Sequence, residues 1–210
     1  INKKEELTKF YKEVNKYKLN KLISLDETSI SPAMIEEYSR CESGKRCIIK
    51  TDDSFFFHKF TLLVAIKNTK CIGWILYEKG GMTKERLVEF MNTFIFNKYK
   101  NHLIILDNAG SHKNNFVKDA ITNSGNKYLF SVPYTPKTNA IENMFNQLKH
   151  YLKLNKKVLK FNEIKREIKK AFTKIKKYHY KNYFLYAYDK DKLNLQKNNT
   201  RKKKSKIYKE

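Results

Sequence analysis

The apolar positions of the chain follow two rhythms, one of short saturated runs and one of helical stripes. About twenty Lys- and Glu-rich residues open the chain, with scattered Leu, Phe, Tyr and Val, and read as a helical leader. In KLISLDE, Leu22, Ile23 and Leu25 form a short apolar strand that ends in acid. Residues 30–50 are mixed and read as loop, with Ser43-Gly44 as a turn. FFFHKFTLLVAI and CIGWILYE are β-rich, and Lys67-Asn68-Thr69-Lys70 between them signals a hairpin; Gly80-Gly81 then breaks the pattern. Thr83 is placed to cap a helix reaching about Tyr99, in which Leu87, Phe90, Met91, Phe94 and Ile95 recur at helical spacing.

HLIILD follows as an unbroken apolar run, the mark of a central strand buried on both faces. A short helix from Phe116 to Thr122 closes near Ser124-Gly125, and KYLFSVP is a further strand stopped by Pro133 and Pro136. From Asn139 a long helix carries Ile141, Met144, Phe145, Leu148 and Leu152 on one stripe. Beyond Phe161 come a Lys-rich amphipathic helix and an aromatic patch from Tyr178 to Tyr188. The order is three strands, helix, strand, helix, strand, helix, which predicts an α/β domain with a mixed sheet covered by helices. The expected organisation is a leader over 1–21, a core domain over 22–155, a basic helical extension over 156–188 and a basic, disordered tail over 189–210.

Charge narrows the choice of partner. The chain has 45 Lys and Arg against 21 Asp and Glu, a net charge of +24. A compact fold with that excess repels itself, and an anionic partner relieves the strain. Nucleic acid is the default candidate, because neutralised phosphates release condensed counterions. An AT-rich genome also inflates Lys, Asn, Ile and Tyr, so charge alone carries only part of this argument. Cys41, Cys47 and Cys71 are odd in number and form no CxxC pair, which points away from a disulfide framework or zinc site and toward a reducing, intracellular setting. No apolar run approaches the roughly 18 residues of a membrane span.

Three acids stand where acids are awkward. Asp26 follows Leu25, Asp107 ends the HLIIL run, and Glu142 lies in the first turn of the long helix. A carboxylate beside a buried strand is costly unless paired or metal-bound. If the strands bearing Asp26 and Asp107 are parallel neighbours, their acids meet at one sheet edge and a divalent cation relieves the repulsion. All-oxygen ligation favours Mg²⁺ or Mn²⁺ over zinc. Each acid also has a plainer reading: Asp26 and Asp107 as turn acids, and Glu142 as the second member of a capping box with Asn139.

The strings SLDET, LIILDNAGSH and VPYTPKTNAIENMFNQLK together resemble the DDE-superfamily endonuclease domain of mariner-like transposases and their bacterial insertion-sequence relatives. The resemblance covers roughly Leu22 to Leu154, and 34 residues lie between Asp107 and Glu142, a spacing used by one branch of that family. It implies an RNase H-like fold, a mixed five-stranded sheet flanked by helices with extra C-terminal helices. It also implies that Asp26, Asp107 and Glu142 are the catalytic metal ligands, holding two Mg²⁺ or Mn²⁺ ions about 3.5–4 Å apart for phosphodiester cleavage and strand transfer. Ala140 stands where the family has Pro, a change a helix tolerates. The family carries an N-terminal helix-turn-helix module, for which the 25 residues before Asp26 are too few, so a domain excerpt or truncated copy is expected.

Supporting roles follow partly from the resemblance and partly from helix spacing and charge. His112, five positions after the second acid, is by itself an ordinary loop or packing histidine, and the resemblance implies a place at the scissile phosphate or a bound water. Asn108 orients Asp107, donates to phosphate, or is a turn residue, and Asn139 stands at the head of the helix that bears Glu142. Asn146 and Lys149 share a face with Glu142, so Lys149 is expected near DNA backbone or in solvent. Lys156, Lys157, Lys165, Arg166 and Lys169 belong to a basic helical face of the kind that most often is simply solvated, and that beside a nuclease core suits tracking duplex backbone without reading sequence. Trp74 is expected in the core. The expected partners are double-stranded DNA, as transposon ends and target, and a second copy in a homodimer, with no membrane and no small-molecule substrate. The alternatives are a domesticated or decayed transposase kept for DNA binding, an RNase H-like nuclease or resolvase, and a basic nucleic-acid binder of ribosomal type.

Overall fold

The computed structural model describes residues 3–32, 42–45, 58–153 and 160–189. Lys156, Lys157, Cys41, Cys47 and the expected tail from 190 onward lie outside the described residues. The first strand is longer than its apolar run suggests. β1 spans Leu22–Ile30 because Ser24 to Ile30 pair antiparallel with β2 (Phe60–Lys67), and this ladder carries the polar half of the strand. Asp26 therefore stands mid-strand rather than at the strand end. β3 (Lys70–Tyr77) returns antiparallel beside β2 through the Asn68-Thr69 turn. β4 (Leu103–Leu106) lies parallel to β1, and β5 (Lys127–Phe130) parallel to β4, giving the mixed order β3-β2-β1-β4-β5.

Strand side chains alternate between two faces, and two cores result. Ile23, Leu25, Leu63, Ala65, Ile104 and Leu106 pack against α2 (Lys84–Met91) and α3 (Asn115–Asn123). Leu22, Leu62, Val64, Ile66, Leu103 and Ile105 pack against α1 (Lys3–Val14), α4 (Ala140–Lys153), α5 (Phe161–Lys174) and α6 (Lys177–Tyr188). The leader helix and the two C-terminal helices thus bury Phe10, Ile168 and Phe184 in the same core as the sheet. On α4 the predicted stripe of Ile141, Met144, Phe145, Leu148 and Leu152 is buried. At about 2 kcal/mol for each side chain removed from water, that stripe contributes on the order of 10 kcal/mol before entropy is counted. It fixes the helix that carries Glu142.

The helix expected to run from Thr83 to about Tyr99 is capped by Thr83, whose Oγ1 accepts from the Arg86 N–H, but α2 ends at Met91. A π-helical turn over Asn92–Phe96 follows. It brings Phe94 over Gly73 on β3, where an added Cβ would stand 2.3 Å from the Phe94 ring, so only glycine fits there. Trp74 is half-buried and stacks on Phe172 of α5 with ring centroids 5.7 Å apart.

Candidate active site

β1 and β4 run parallel with Ser24 beside Ile105. Extending that register by two places sets Asp26 beside Asp107, on the sheet face covered by α4. Asp26 is buried, at 5% exposure. Its Oδ1 accepts the Glu27 main-chain N–H at 2.8 Å, and its Oδ2 accepts the Asn139 side-chain amide at 2.8 Å. Burial pushes its carboxyl up to about 8, and the neighbouring charges of Asp107, Glu27 and Glu142 push the same way. At neutral pH this group keeps its proton unless a cation joins it.

Asn139 does not form the expected capping box with Glu142. Its side chain is committed to the strand: besides donating to Asp26, its Oδ1 accepts the Ser24 hydroxyl at 2.5 Å. The first amides of α4 find other partners, Ile141 N–H donating to Ser24 Oγ and Ala140 N–H to Tyr188 Oη, each at 3.2 Å. Glu142 is thereby left to the cleft. Burial raises its carboxyl, the charge of Lys149 opposes that rise, and the charge of Asp107 adds to it. Asp107, Asn108, Ser131, Tyr134, Asn139 and Glu142 line a cleft of about 240 Å³.

Asp107 behaves differently from its neighbour. Burial alone would raise it, but the bond from His112, the Ala109 N–H at 2.9 Å and the charge of Lys113 hold it below the usual carboxylate range. His112 is fully buried, with Nδ1 hydrogen-bonded to Asp107 Oδ1 and Nε2 at 3.1 Å from Glu27 Oε2. The second approach is an ion-pair contact rather than an aligned hydrogen bond. Burial disfavours the imidazolium, yet the bond to Asp107 and the charges of both carboxylates lift it to about 10. The ring has no exposed surface, and among the described residues it holds Asp107 and does not line the cleft. Asn108 likewise faces inward, donating from Nδ2 to the Ser131 carbonyl and tying the loop after β4 to the end of β5.

The basic residues sit farther out. Asn146 is exposed and Lys149 half-buried on α4. On α5 the buried stripe is Ile164, Ile168 and Ala171, and Lys165, Arg166 and Lys169 are exposed. Sequence reasoning missed Ser24, Glu27 and Tyr188. Ser24 had a signal, a small polar residue inside an apolar strand and two positions before an acid. Glu27 stood in SLDET without a reason to choose it, and Tyr188 had none, lying 46 positions beyond Glu142.

The donor set of Asp26, Asp107 and Glu142 is all carboxylate oxygen, which suits a hard divalent cation. A cation would also offset the burial, and the neighbouring carboxylates, that hold the Asp26 carboxyl up. Among the described residues no three His, Cys, Asp or Glu side chains are gathered tightly enough to hold a metal ion as they stand. The fit therefore lies in the donor chemistry rather than in a finished coordination sphere.

A mixed β3-β2-β1-β4-β5 sheet between two helical layers, with acids at the β1/β4 edge, is the RNase H-like architecture. The family model of the DDE superfamily endonuclease matches residues 21–165, and the chain belongs to that family. Among solved structures, the Mos1 strand transfer complex aligns with a TM-score of 0.73 at 16% identity, covering 89% of this chain and 57% of that one. The Mos1 mariner paired end complex with Mn aligns with the same score and identity, over 89% and 58%. The catalytic domain of Mos1 mariner transposase aligns with a TM-score of 0.65 at 17% identity, over 90% and 86%. The chain spans less than two thirds of the Mos1 chains in those complexes, and at such identities the likeness is one of fold. No curated protein matches the chain in sequence.

Proposed function

We propose that the chain is the catalytic domain of a DNA transposase, cleaving phosphodiesters at transposon ends and joining the freed ends to target duplex inside the cell. The observation that carries this reading is the burial of Asp26 beside Asp107, with Glu142 delivered by α4 to the cleft that Asp107 lines. Membership of the endonuclease family supports the reaction class, and the Mos1 complexes support DNA as the partner and Mn²⁺ or Mg²⁺ as the cofactor.

Asp26, Asp107 and Glu142 would hold the cation, two ions in the full reading, which supplies charge neutralisation and an activated water or 3′-hydroxyl when bound. The chain's own residues do the rest. Asn139 and the Glu27 N–H fix the Asp26 carboxylate, Ser24 and Tyr188 fix the start of α4, and that helix presents Glu142. His112 and the Ala109 N–H fix Asp107, and Asn108 holds the cleft's floor against β5. Lys149 stands on the Glu142 face of α4, where a phosphate entering the cleft would meet it. Lys165, Arg166 and Lys169 supply backbone contacts that position duplex without reading its sequence. A two-fold assembly is part of the proposal, because the two transposon ends must be brought together.

The test is a strand-joining assay with a short duplex bearing a free 3′-hydroxyl, a supercoiled plasmid and Mn²⁺. Joined products support a transposase. Nicked plasmid without joining leaves a nuclease of the same fold, and tight duplex binding with neither product leaves a protein that only binds DNA.

A further inference from the structure

The side chain least explained by a three-acid site is Glu27. It follows Asp26 on β1, so it projects from the opposite face of the sheet, toward the layer of α2 and α3 rather than α4. There it meets His112. Glu27 Oε2 and His112 Nε2 are 3.1 Å apart, both atoms are buried, and among the described residues neither makes a hydrogen bond to anything else. The other ring nitrogen of His112 is bonded to Asp107. Through its main chain Glu27 also donates to Asp26 at 2.8 Å. One residue is thus linked to two of the three acids, by its backbone to one and through a sealed imidazole to the other.

Geometry argues for a purpose here. A loop acid such as Asp107 has freedom about two side-chain bonds, and ordering it at the moment a cation arrives costs affinity. A ring clamped between two carboxylates has no such freedom. Partners that hold metal ligands from behind typically change metal affinity by 10–100-fold.

We infer that Glu27 is a positioning residue for the cation site, fixing the Asp107 carboxylate through His112 and so setting the affinity for a divalent ion. The inference rests on the three-acid reading above.

The test uses the full chain and Mn²⁺ alone, with affinity read by isothermal titration and by the loss of the free-ion paramagnetic resonance signal, without DNA. Glu27→Gln is expected to weaken Mn²⁺ binding about tenfold while leaving metal-free duplex affinity unchanged. Removing a nearby negative charge would also weaken cation binding by simple Coulomb attraction, and a double-mutant cycle separates the two causes. If the link runs through the ring, Glu27→Gln adds little in a His112→Gln background; if only charge matters, Glu27→Gln costs the same factor in both backgrounds and the inference fails. His112→Gln also reports the link from its other end should Glu27→Gln fold poorly, which a metal-free thermal melt reveals. Glu27→Gln binding Mn²⁺ like wild type while Asp107→Asn does not would overturn the inference and leave the site intact. Asp107→Asn binding like wild type would overturn the three-acid reading and the inference with it.

Discussion

The sheet carries a cluster of like charges at each end, and the two clusters are resolved in opposite ways. At the N-terminal ends of β1 and β4, Lys67 stands among Lys21 and Lys70 beside His102. Burial first, and then those two lysines, push its ammonium down to about 8. The cluster settles itself from within. Lys67 Nζ lies 2.7 Å from His102 Nε2 and 4.6 Å from the centre of the Tyr99 ring, and His102 Nδ1 faces the Lys100 carbonyl at 2.8 Å. Burial and the nearby lysines lower His102, so its neutral ring accepts what Lys67 donates. At the other end the charges of Asp26, Asp107 and Glu142 act on one another, and Asp107 has a cationic hydrogen-bond partner in His112. Asp26 has two amide donors and a carboxyl raised to about 8. A buried like-charge cluster that its own fold satisfies is architecture; one that it does not satisfy is a place for an ion.

The sharpest way to break this contrast is to edit each end in turn. Asp26→Asn, Asp107→Asn or Glu142→Gln should lower metal-dependent nicking by roughly a thousandfold or more, the worth of several kcal/mol of charge stabilisation. Lys67→Met should leave nicking within about threefold in the same plasmid assay. Full activity in any one acid variant would remove that residue from the ligand set. Next in size, Asn139→Ala frees the Asp26 carboxylate and strips a partner from Ser24. It should cost about 10–100-fold in Mn²⁺ affinity by titration, and about 1–3 kcal/mol in a denaturant melt.

The two ends should also give opposite slopes of stability with pH. Asp26 has a folded pKa above its unfolded value of about 3.8, so the folded state holds the proton longer. Its contribution is fully present below pH 3.8 and is lost as pH rises to about 8. Asp26→Asn should therefore stabilise the metal-free protein at about pH 8, by on the order of 2 kcal/mol, and change little at about pH 4. Lys67 is lowered from 10.5 to about 8, so its contribution is present above 10.5 and lost as pH falls toward 8. His112, raised to about 10, loses its contribution as pH rises through 6.5 to 10, and subtracting each variant from wild type removes that common term. Thermal melts across pH read the difference directly, and an Asp26→Asn that destabilises at about pH 8 would contradict the buried, raised carboxyl. The smallest expected effect is at the surface. Replacing Lys165, Arg166 and Lys169 by Gln should weaken duplex binding evenly across sequences and reduce the salt slope by about one for each phosphate left without its cation.

Much of this is legible in the chain. The five strands, α3, α4 and the mixed sheet follow from apolar periodicity, because the cores on both faces of the sheet are built from residues alternating by two or spaced by three and four. The acids stand out by their joint placement, since each taken alone also reads as a turn or capping residue. What escapes depends on contacts between distant segments. The capping box of Asn139 and Glu142 is a sound local reading, but Asp26 and Ser24, more than a hundred positions away, compete for the Asn139 side chain and win. His112 reads locally as an ordinary loop or packing histidine, and only the fold closes Glu27 and Asp107 around it. The π turn after Met91 answers to Gly73 on another strand, and the leader and C-terminal helices share a core whose size their Lys-rich sequences do not advertise.

The measurement that tests the central claim most directly is nicking of supercoiled plasmid by wild type and Asp107→Asn, with Mg²⁺, with Mn²⁺ and with neither. The account predicts cleavage by wild type only when a divalent ion is present, and none by Asp107→Asn under any of the three conditions although it binds duplex as tightly. Metal-independent cleavage, or cleavage that survives in Asp107→Asn, would contradict it.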